Sequence, residues 1–484
     1  MEPIKLEELL AGQNVRELTG PKPGRLSDKT ITGVCIDSRK ALPGDLFFAL
    51  KGEQSDGHHY VEQALEIGAA AVVVSEMPAG RSSAPHGAIV LVEDTLRTLG
   101  DAARNYRRRF QIPIIAITGS IGKTSVKEMS AAVLRTTCNT HASEKNYNNE
   151  IGVPLTLFGL NTGHEAAIVE MGMRGPNEID RLAEIAEPTV GLITNIGYAH
   201  LERLGTREGI ALAKAELLAR LPATGTAILP VGDAYFETLR SSVPQGVRIL
   251  TFSGDPARDC DVVTSDGPGY YLVKARGERY KGTLKAVGEH HFRNAAAVLA
   301  LALALDIPIP AAIEALSYWS GAEGRLVVRD LPSDITVLDD CYNAGPESME
   351  SALATLVRMT NGGGVAVLGD MRELGDDAPD LHRRVGRAVV GARPRLLVTV
   401  GDLAWHIAEA AEVELRSLGE KCALDYPLAN VHFADSDEAA DGIRDHIRPG
   451  DTVLVKGSRA MEMEKIVAAL IGRTASAERA GAHG

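Results

Sequence analysis

The apolar run Ile112-Pro113-Ile114-Ile115-Ala116-Ile117 leads directly into Thr118-Gly119-Ser120-Ile121-Gly122-Lys123-Thr124-Ser125, and helical patterning begins at about Lys123. A continuously apolar strand must be buried on both faces, so this segment calls for a mostly parallel sheet covered by helices. A glycine loop between such a strand and a helix turns backbone N–H groups inward and can cradle the phosphates of a nucleotide. Lys123 would place a compact positive charge at the β/γ-phosphates, and the Thr124 hydroxyl is placed to ligate Mg²⁺. Gly119, Ser120, Gly122 and Ser125 complete the cradle. The loop is tighter than the commonest phosphate loop, because the position five before Gly122 is Ile117 rather than glycine.

The rest of the chain repeats the same alternation. At about 150 residues per domain, 484 residues suggest three domains. We expect an α/β fold with domains at 1–108, 109–320 and 321–475, and a flexible tail at 476–484. In the first, Ile31 to Ile36, Leu46 to Leu50, Ala70 to Val74 and Ala88 to Val92 read as strands. Tyr60 to Ile67 and Thr95 to Arg109 read as helices, and the whole as a module complete in itself. In the second, strands are expected at Ala166 to Glu170, Val190 to Ile196 and Thr226 to Leu229. Ser241 to Gly288 reads as a β-meander or insertion, followed by an Ala-rich helix from Phe292 to Leu305. The third begins after the Gly-rich stretch Gly321 to Gly324. Its strands are expected at Thr336 to Leu338, Val365 to Leu368, Leu396 to Val400, Val431 to Ala434 and Thr452 to Val455. It is Rossmann-like but lacks GxGxxG, so it carries no dinucleotide fingerprint.

Composition excludes several classes of function. Fifty-one basic residues against 64 acidic ones leave a net charge of −13, the wrong sign for a chain that holds nucleic acid by its phosphates. The longest apolar run, Ala295 to Leu305, is far short of the roughly 18 residues a membrane span needs. Cys35, Cys138, Cys260, Cys341 and Cys422 are scattered and form no CxxC pair, which suits reduced thiols in a cytoplasmic protein rather than zinc or disulfides.

Glu170 ends its strand, and His200 follows the strand that starts at Val190. In a parallel sheet the carboxyl ends of strands share the edge where the phosphate loop sits, so this pair could hold a second divalent cation. His200 by itself reads equally well as a surface or capping histidine. Lys214, in Ala213-Lys214-Ala215-Glu216, reads from the residues alone as a solvated lysine.

The phosphate loop resembles that of the Mur ligases, the ATP-dependent amide-forming enzymes of peptidoglycan assembly, and folylpolyglutamate synthetase shares it. Other segments discriminate. Asp37-Ser38-Arg39-Lys40, Pro43 to Phe47 and Lys51-Gly52 resemble the UDP-binding front domain of the Mur ligases that add the third and last amino-acid units. Asn148-Asn149-Glu150-Ile151-Gly152-Val153-Pro154 and Asp340-Cys341-Tyr342-Asn343-Ala344 resemble elements of the last-acting one. Gly369 to Gly375 and Lys456-Gly457-Ser458-Arg459 complete the series. Cys341 stands where serine is common. The third-residue ligase's Asp-Asn-Pro-Arg element is absent.

The resemblance implies ATP and two Mg²⁺ ions, held by Lys123, Thr124, Glu170 and His200, with Lys214 carbamylated as a further metal ligand. It implies that His291 and Asn294 pack against adenine, and that Arg325 and Asp340 reach the nucleotide's phosphate and ribose. Ser38, Arg39 and Asn149 would hold a UDP-N-acetylmuramoyl-tripeptide. Tyr342, Asn343, Lys456, Ser458 and Arg459 would face D-alanyl-D-alanine. A cytoplasmic monomer is expected. The rival readings are another Mur ligase step, a folylpolyglutamate synthetase-like ligase, which lacks the segment Asp37 to Gly52, and a P-loop switch or motor ATPase. The last would need an Asn-Lys-x-Asp motif or a hydrolytic strand ending in Asp, and neither is found.

Overall fold

A computed structural model describes residues 1–15, 17–19, 29–52, 55–77, 87–144, 146–267, 269–360, 363–422 and 428–472. The expected tail at 476–484 and the Cys422 side chain lie outside the described residues. Three main sheets follow one another along the chain. The front sheet runs Glu17–Thr19, Ala88–Leu91, Ala71–Val74, Asp45–Phe48, Gly33–Cys35, antiparallel only at its first pair. The run from Ile31 to Ile36 is not one strand. Thr30–Ile31 pairs with Ile4–Lys5, while Gly33–Cys35 joins the front sheet. A side chain at Gly33 would meet Asp45 Oδ1 at 2.2 Å, so the chain passes close to its neighbour here.

The central sheet has nine strands, and the phosphate-loop strand Ile114–Thr118 lies between Ala166–Glu170 and Val190–Ile193. Pairing is parallel from Thr140–Ala142 at one edge through to Val262–Gly267. Tyr270–Ala275 and Glu278–Gly282 then close the other edge as an antiparallel meander. The chain first builds on one side of Ile114–Thr118 and then on the other, so the loop after this strand stands at a topological switch point. The helix His290–Ala304 is buried on nearly every face, and its alanines let it approach the sheet and the helix Lys123–Leu134 closely. That is how a core with 4% aromatics is filled.

The third sheet runs Val327–Leu331, Ile335–Asp340, Thr452–Lys456, Val365–Gly369, Leu396–Val400, Ala429–Phe433, antiparallel only at its first pair. The edge strand Val327–Leu331 alternates in exposure but not in polarity, since it reads Val-Val-Arg-Asp-Leu, and so carries no sequence signal strong enough to be expected.

The front module is not complete in itself. Its helix Thr95–Arg107, capped by the Asp94 carboxylate at Leu96 and Arg97 N–H, packs on the central helices Gly152–Phe158 and Glu178–Ala186. Tyr106 is fully buried there, edge-on to Phe110 and tilted against Phe158, and its hydroxyl donates to the Leu160 carbonyl at 2.7 Å. Arg107 donates to the Ala186 carbonyl at 2.8 Å, satisfying a charge that burial would otherwise penalise. The third sheet is reached through Gly321 and Gly324, both with positive φ.

Candidate active site

The phosphate loop is held in shape by the residues that follow the neighbouring strand. Ser120 N–H donates to the Asn195 carbonyl at 3.1 Å and Ile121 N–H to Asn195 Oδ1 at 3.0 Å. Thr194 Oγ1 and Asn195 Nδ2 donate to the Ile121 carbonyl at 2.6 and 2.8 Å. Gly119 (φ +148) has no room for a side chain, since a Cβ would lie 1.9 Å from Thr194 Oγ1. Gly122 (φ +85) caps the helix. The first helical bond runs from Val126 N–H to the Gly122 carbonyl, so the N–H groups of Lys123, Thr124 and Ser125 have no partner within the helix. They form an anion-binding end. Lys123 Nζ folds back onto the Gly119 carbonyl at 2.8 Å.

Four expected residues gather at this edge. Glu170 is 2% exposed; its Oε1 accepts from Asn148 Nδ2 at 2.9 Å, and its Oε2 is buried without a partner. His200 Nδ1 pairs with Glu373 Oε2 at 2.6 Å, which leaves Nε2 as the ring's free nitrogen. Burial lowers the His200 pKa, Glu373 opposes this, and Lys123 and Lys214 add to it. Lys214 is not a solvated lysine. It is 1% exposed, and burial together with the charge of Lys123 pushes its pKa well below the ordinary lysine value. Burial also lowers the Lys123 pKa, with Glu170 opposing.

Lys123, Glu170 and His200 open onto one large cleft of about 1850 Å³ between the central and third domains, while Lys214 is buried outside its lining. Ser120, Gly122, Lys123, Thr124, Ser125, Asn149, Glu170 and His200 line it, as do Asn294, Arg325, Asp340, Tyr342, Asn343, Lys456, Ser458 and Arg459. Asn294 Oδ1 would lie 2.9 Å from a Cβ at Gly122, so this residue abuts the phosphate loop. The Arg325 guanidinium stacks over the Tyr342 ring at 4.0 Å. Lys456 donates to Asp340 Oδ2 at 2.7 Å and to the Asn343 carbonyl at 2.9 Å. Arg459 pairs with Glu464 at 2.7 Å. Ser458 Oγ accepts from Arg372 N–H at 2.9 Å. Asn149 Oδ1 accepts from the N–H groups of Ile151 and Gly152.

Five expected residues stand outside the cleft lining: Gly119, Lys214, His291, Ser38 and Arg39. His291 is fully buried with neither ring nitrogen bonded, packed between His290 and Trp319. It is His290 that lines the cleft, with Nδ1 at 3.0 Å from Ser351 Oγ. Ser38 and Arg39 lie in the front domain, where Ser38 Oγ donates to Gln63 and Arg39 pairs with Asp37. Sequence reasoning missed Asn148, Thr194, Asn195, Glu347 and Glu373. Asn148 and Glu373 had a signal, since they stand in the resembling elements Asn148 to Pro154 and Gly369 to Gly375; Thr194, Asn195 and Glu347 gain their roles only from the fold.

Three models of one family match the chain in order: "Mur ligase family, catalytic domain" over residues 30–107, "Mur ligase middle domain" over 117–302, and "Mur ligase, glutamate ligase domain" over 324–459. The UDP-N-acetylmuramoyl-tripeptide–D-alanyl-D-alanine ligase of Synechocystis is 38% identical over 92% of this chain and 93% of its own. The chain belongs to the Mur ligase family. The Bacillus subtilis ligase of the same name is 34% identical over 91% of this Mur ligase and 93% of its own length. Among solved structures, MurF from Acinetobacter baumannii superposes with a TM-score of 0.85 at 31% identity, covering 97% of this chain and 99% of that one.

Proposed function

We propose that this Mur ligase uses ATP to join D-alanyl-D-alanine to UDP-N-acetylmuramoyl-tripeptide in the cytoplasm, acting as a monomer. The reading rests above all on one observation: a phosphate loop and the buried, unpartnered Glu170 Oε2 face a wall of third-domain residues across a single cleft. The relatives named above supply the identity of the acceptor and donor.

An amide cannot form from a carboxylate until its oxygen becomes a leaving group. ATP does this by phosphorylating the tripeptide's terminal carboxylate. The approach of that anion to the polyphosphate costs about 4 kcal/mol per like-charge pair at 4 Å and an effective dielectric of 20. Lys123 and the loop N–H groups offset part of it and fix the line of attack. The residues also fit divalent cations, because Glu170 Oε2 is a buried anionic oxygen without a donor and His200 keeps one nitrogen free. Thr124 would hold one Mg²⁺, and Glu170, His200 and Lys214 the other, Lys214 as its carbamate. When bound, the ions would supply positive charge to the transferring phosphoryl group. The neutral amine is the form that reacts with CO₂, and burial disfavours the charged form of Lys214, which supports that assignment.

Asn294 would contact adenine, with His291 packed behind it, while Arg325 and Asp340 would reach the phosphate and ribose. Ser38, Arg39 and Asn149 would hold the UDP-sugar-peptide, and Tyr342, Asn343, Lys456, Ser458 and Arg459 the dipeptide. The acyl phosphate must be shielded from water, and rotation of the third domain about Gly321 and Gly324 would close the cleft over it. The test is phosphate release with a panel of UDP-sugar peptides, each with and without D-alanyl-D-alanine. Steady release is expected only with both the tripeptide and the dipeptide present. Equal turnover with folate and glutamate, or without any UDP-sugar, would overturn the reading.

A further inference from the structure

Glu347 opens the helix Pro346–Thr360 of the third domain, a few residues after Tyr342 and Asn343. It lines the cleft. Its two carboxylate oxygens lie 3.3 and 3.4 Å from the position a Cβ on Gly197 would take, and Ser120 Cβ lies 3.2 Å from the same point. Gly197 N–H in turn donates to Ser120 Oγ at 2.8 Å. The third domain therefore carries a carboxylate to the mouth of the phosphate loop.

Beyond a hydrogen bond from its own backbone N–H, that carboxylate is uncommitted. None of the ion pairs among the described residues involves Glu347, although guanidinium groups surround it. Arg384 is engaged by Glu350 through two bonds of 2.7 Å. Arg207 donates to the Ile196 carbonyl at 2.9 Å and lies over the rings of Tyr198 and Tyr235. Arg293 faces Asp233 as well as Glu347. A negative end this close to a phosphate site would oppose nucleotide binding if it had no other task.

We propose that Glu347 receives the ammonium group of the incoming dipeptide and takes a proton from it. The assignment rests on the ligase reading above. A protonated amine has no lone pair with which to attack the acyl phosphate. The ammonium gives one proton to the Glu347 carboxylate, leaving a neutral amine and a carboxylic acid. The amine's lone pair then forms the C–N bond, and the tetrahedral intermediate breaks its C–O bond to phosphate. The departing phosphate carries the bonding electrons and accepts the second N–H proton. Burial raises the Glu347 pKa and Glu350 adds to this, while its own backbone N–H, Arg384 and Arg207 moderate it, so the group is a stronger base than a solvated carboxylate. Lys456 and Arg459, farther along the same wall, suit the dipeptide's other end.

The test compares two acceptors in the parent, Glu347→Gln and Glu347→Asp enzymes: D-alanyl-D-alanine, which arrives as an ammonium, and hydroxylamine, which is neutral at neutral pH and traps the acyl phosphate as a hydroxamate. Glu347→Gln should lower kcat/KM for the dipeptide by roughly 10²–10⁴-fold, the usual yield of a positioned general base. It should leave hydroxamate formation within a few-fold of the parent, and Glu347→Asp should recover part of the dipeptide rate. The acid limb of the dipeptide pH profile should shift in Glu347→Asp and flatten in Glu347→Gln. Unchanged dipeptide turnover in Glu347→Gln, or equal loss with both acceptors, would overturn the assignment. A parent enzyme that forms no amide from tripeptide and dipeptide would instead overturn the ligase reading itself.

Discussion

The two walls of the cleft handle charge in opposite ways. The central wall leaves its groups waiting: Glu170 Oε2 has no partner, Lys214 is buried with a depressed pKa, and the first N–H groups of the Lys123 helix point outward unused. Most charges of the third wall are already paired, Lys456 with Asp340 at 2.7 Å, Arg459 with Glu464 at 2.7 Å, and Glu373 with His200 at 2.6 Å, with Glu347 an exception. Arg358 reaches across to Asp266 and Glu289. An unsatisfied buried polar group costs about 1–3 kcal/mol, and only a ligand that brings charge removes that cost. The central wall is therefore prepared for phosphate and cation in advance. The third wall must exchange existing partners for its ligand, which suits a surface that engages and releases.

The strongest test of that contrast lies on the central wall. Lys123→Ala should reduce turnover by more than about 10³-fold, since the lysine acts on the charge that develops during phosphoryl transfer. Its melting temperature should stay close to the parent's, because Lys123 makes only loop contacts. Near-normal turnover would mean that the loop is not the working phosphate site. Lys214→Ala should cost on the order of 10²–10³-fold, the scale at which loss of a single transition-state contact is felt. Short carboxylates added to the buffer should restore part of the rate by replacing the carbamate. Activity within a few-fold of the parent would reduce Lys214 to a packing residue.

A smaller effect separates two cations of the third wall. The Lys456 side chain is 3% exposed and Arg459 is 65% exposed. Removing one partner of a buried pair costs about 3–5 kcal/mol, whereas an exposed pair contributes about 0–1 kcal/mol. Lys456→Ala should therefore lower stability measurably in a urea titration. Arg459→Ala should leave stability unchanged while raising the dipeptide KM about tenfold, the equivalent of roughly 1.4 kcal/mol of binding. The KM for ATP should move little. If both variants behave alike, the two charges do not differ in the way their burial implies.

The central wall was legible because its signals are local. A buried strand, a glycine loop and a helix start follow one another within a few residues, and Glu170 stands at the end of a strand whose apolar run is plain. Lys214 was misread as solvated because of its residue type, although its spacing held a signal. It follows Ile210 by four positions and precedes Leu217 and Leu218 by three and four, so helical spacing puts it on their buried stripe. The third wall resisted because its roles are assembled from distant segments. Nothing near Glu347 in sequence reveals that it meets Gly197, and nothing near Glu373 reveals His200. The front helix Thr95–Arg107 was found, but its docking onto the central domain depends on tertiary shape, which periodicity does not encode.

The subtlest prediction asks whether the third wall yields first when protons rather than ligands compete for its partners. His382 is fully buried behind the loop that presents Glu373. Its Nε2 accepts from Met371 N–H at 2.9 Å while Nδ1 donates to the Ala378 carbonyl at 2.6 Å, so the ring must be neutral. Burial lowers its pKa, and Arg372 and His406 add to this against the opposing Ala378 and Asp370. The unfolded chain therefore takes up a proton near pH 6.5 that the folded chain refuses until lower pH. Stability is present above that range and is lost as pH falls from about 6.5 toward the depressed folded value, with a slope approaching 1.4 kcal/mol per pH unit. His382→Gln cannot titrate. Its unfolding free energy should fall less steeply than the parent's over that window, by up to that slope. Protection of Met371 N–H against hydrogen exchange, taken relative to the intrinsic rate at each pH, should fall with acid in the parent, because a protonated ring no longer accepts its bond. Parallel slopes in the two proteins would show that His382 shapes the loop without making the third wall sensitive to acid.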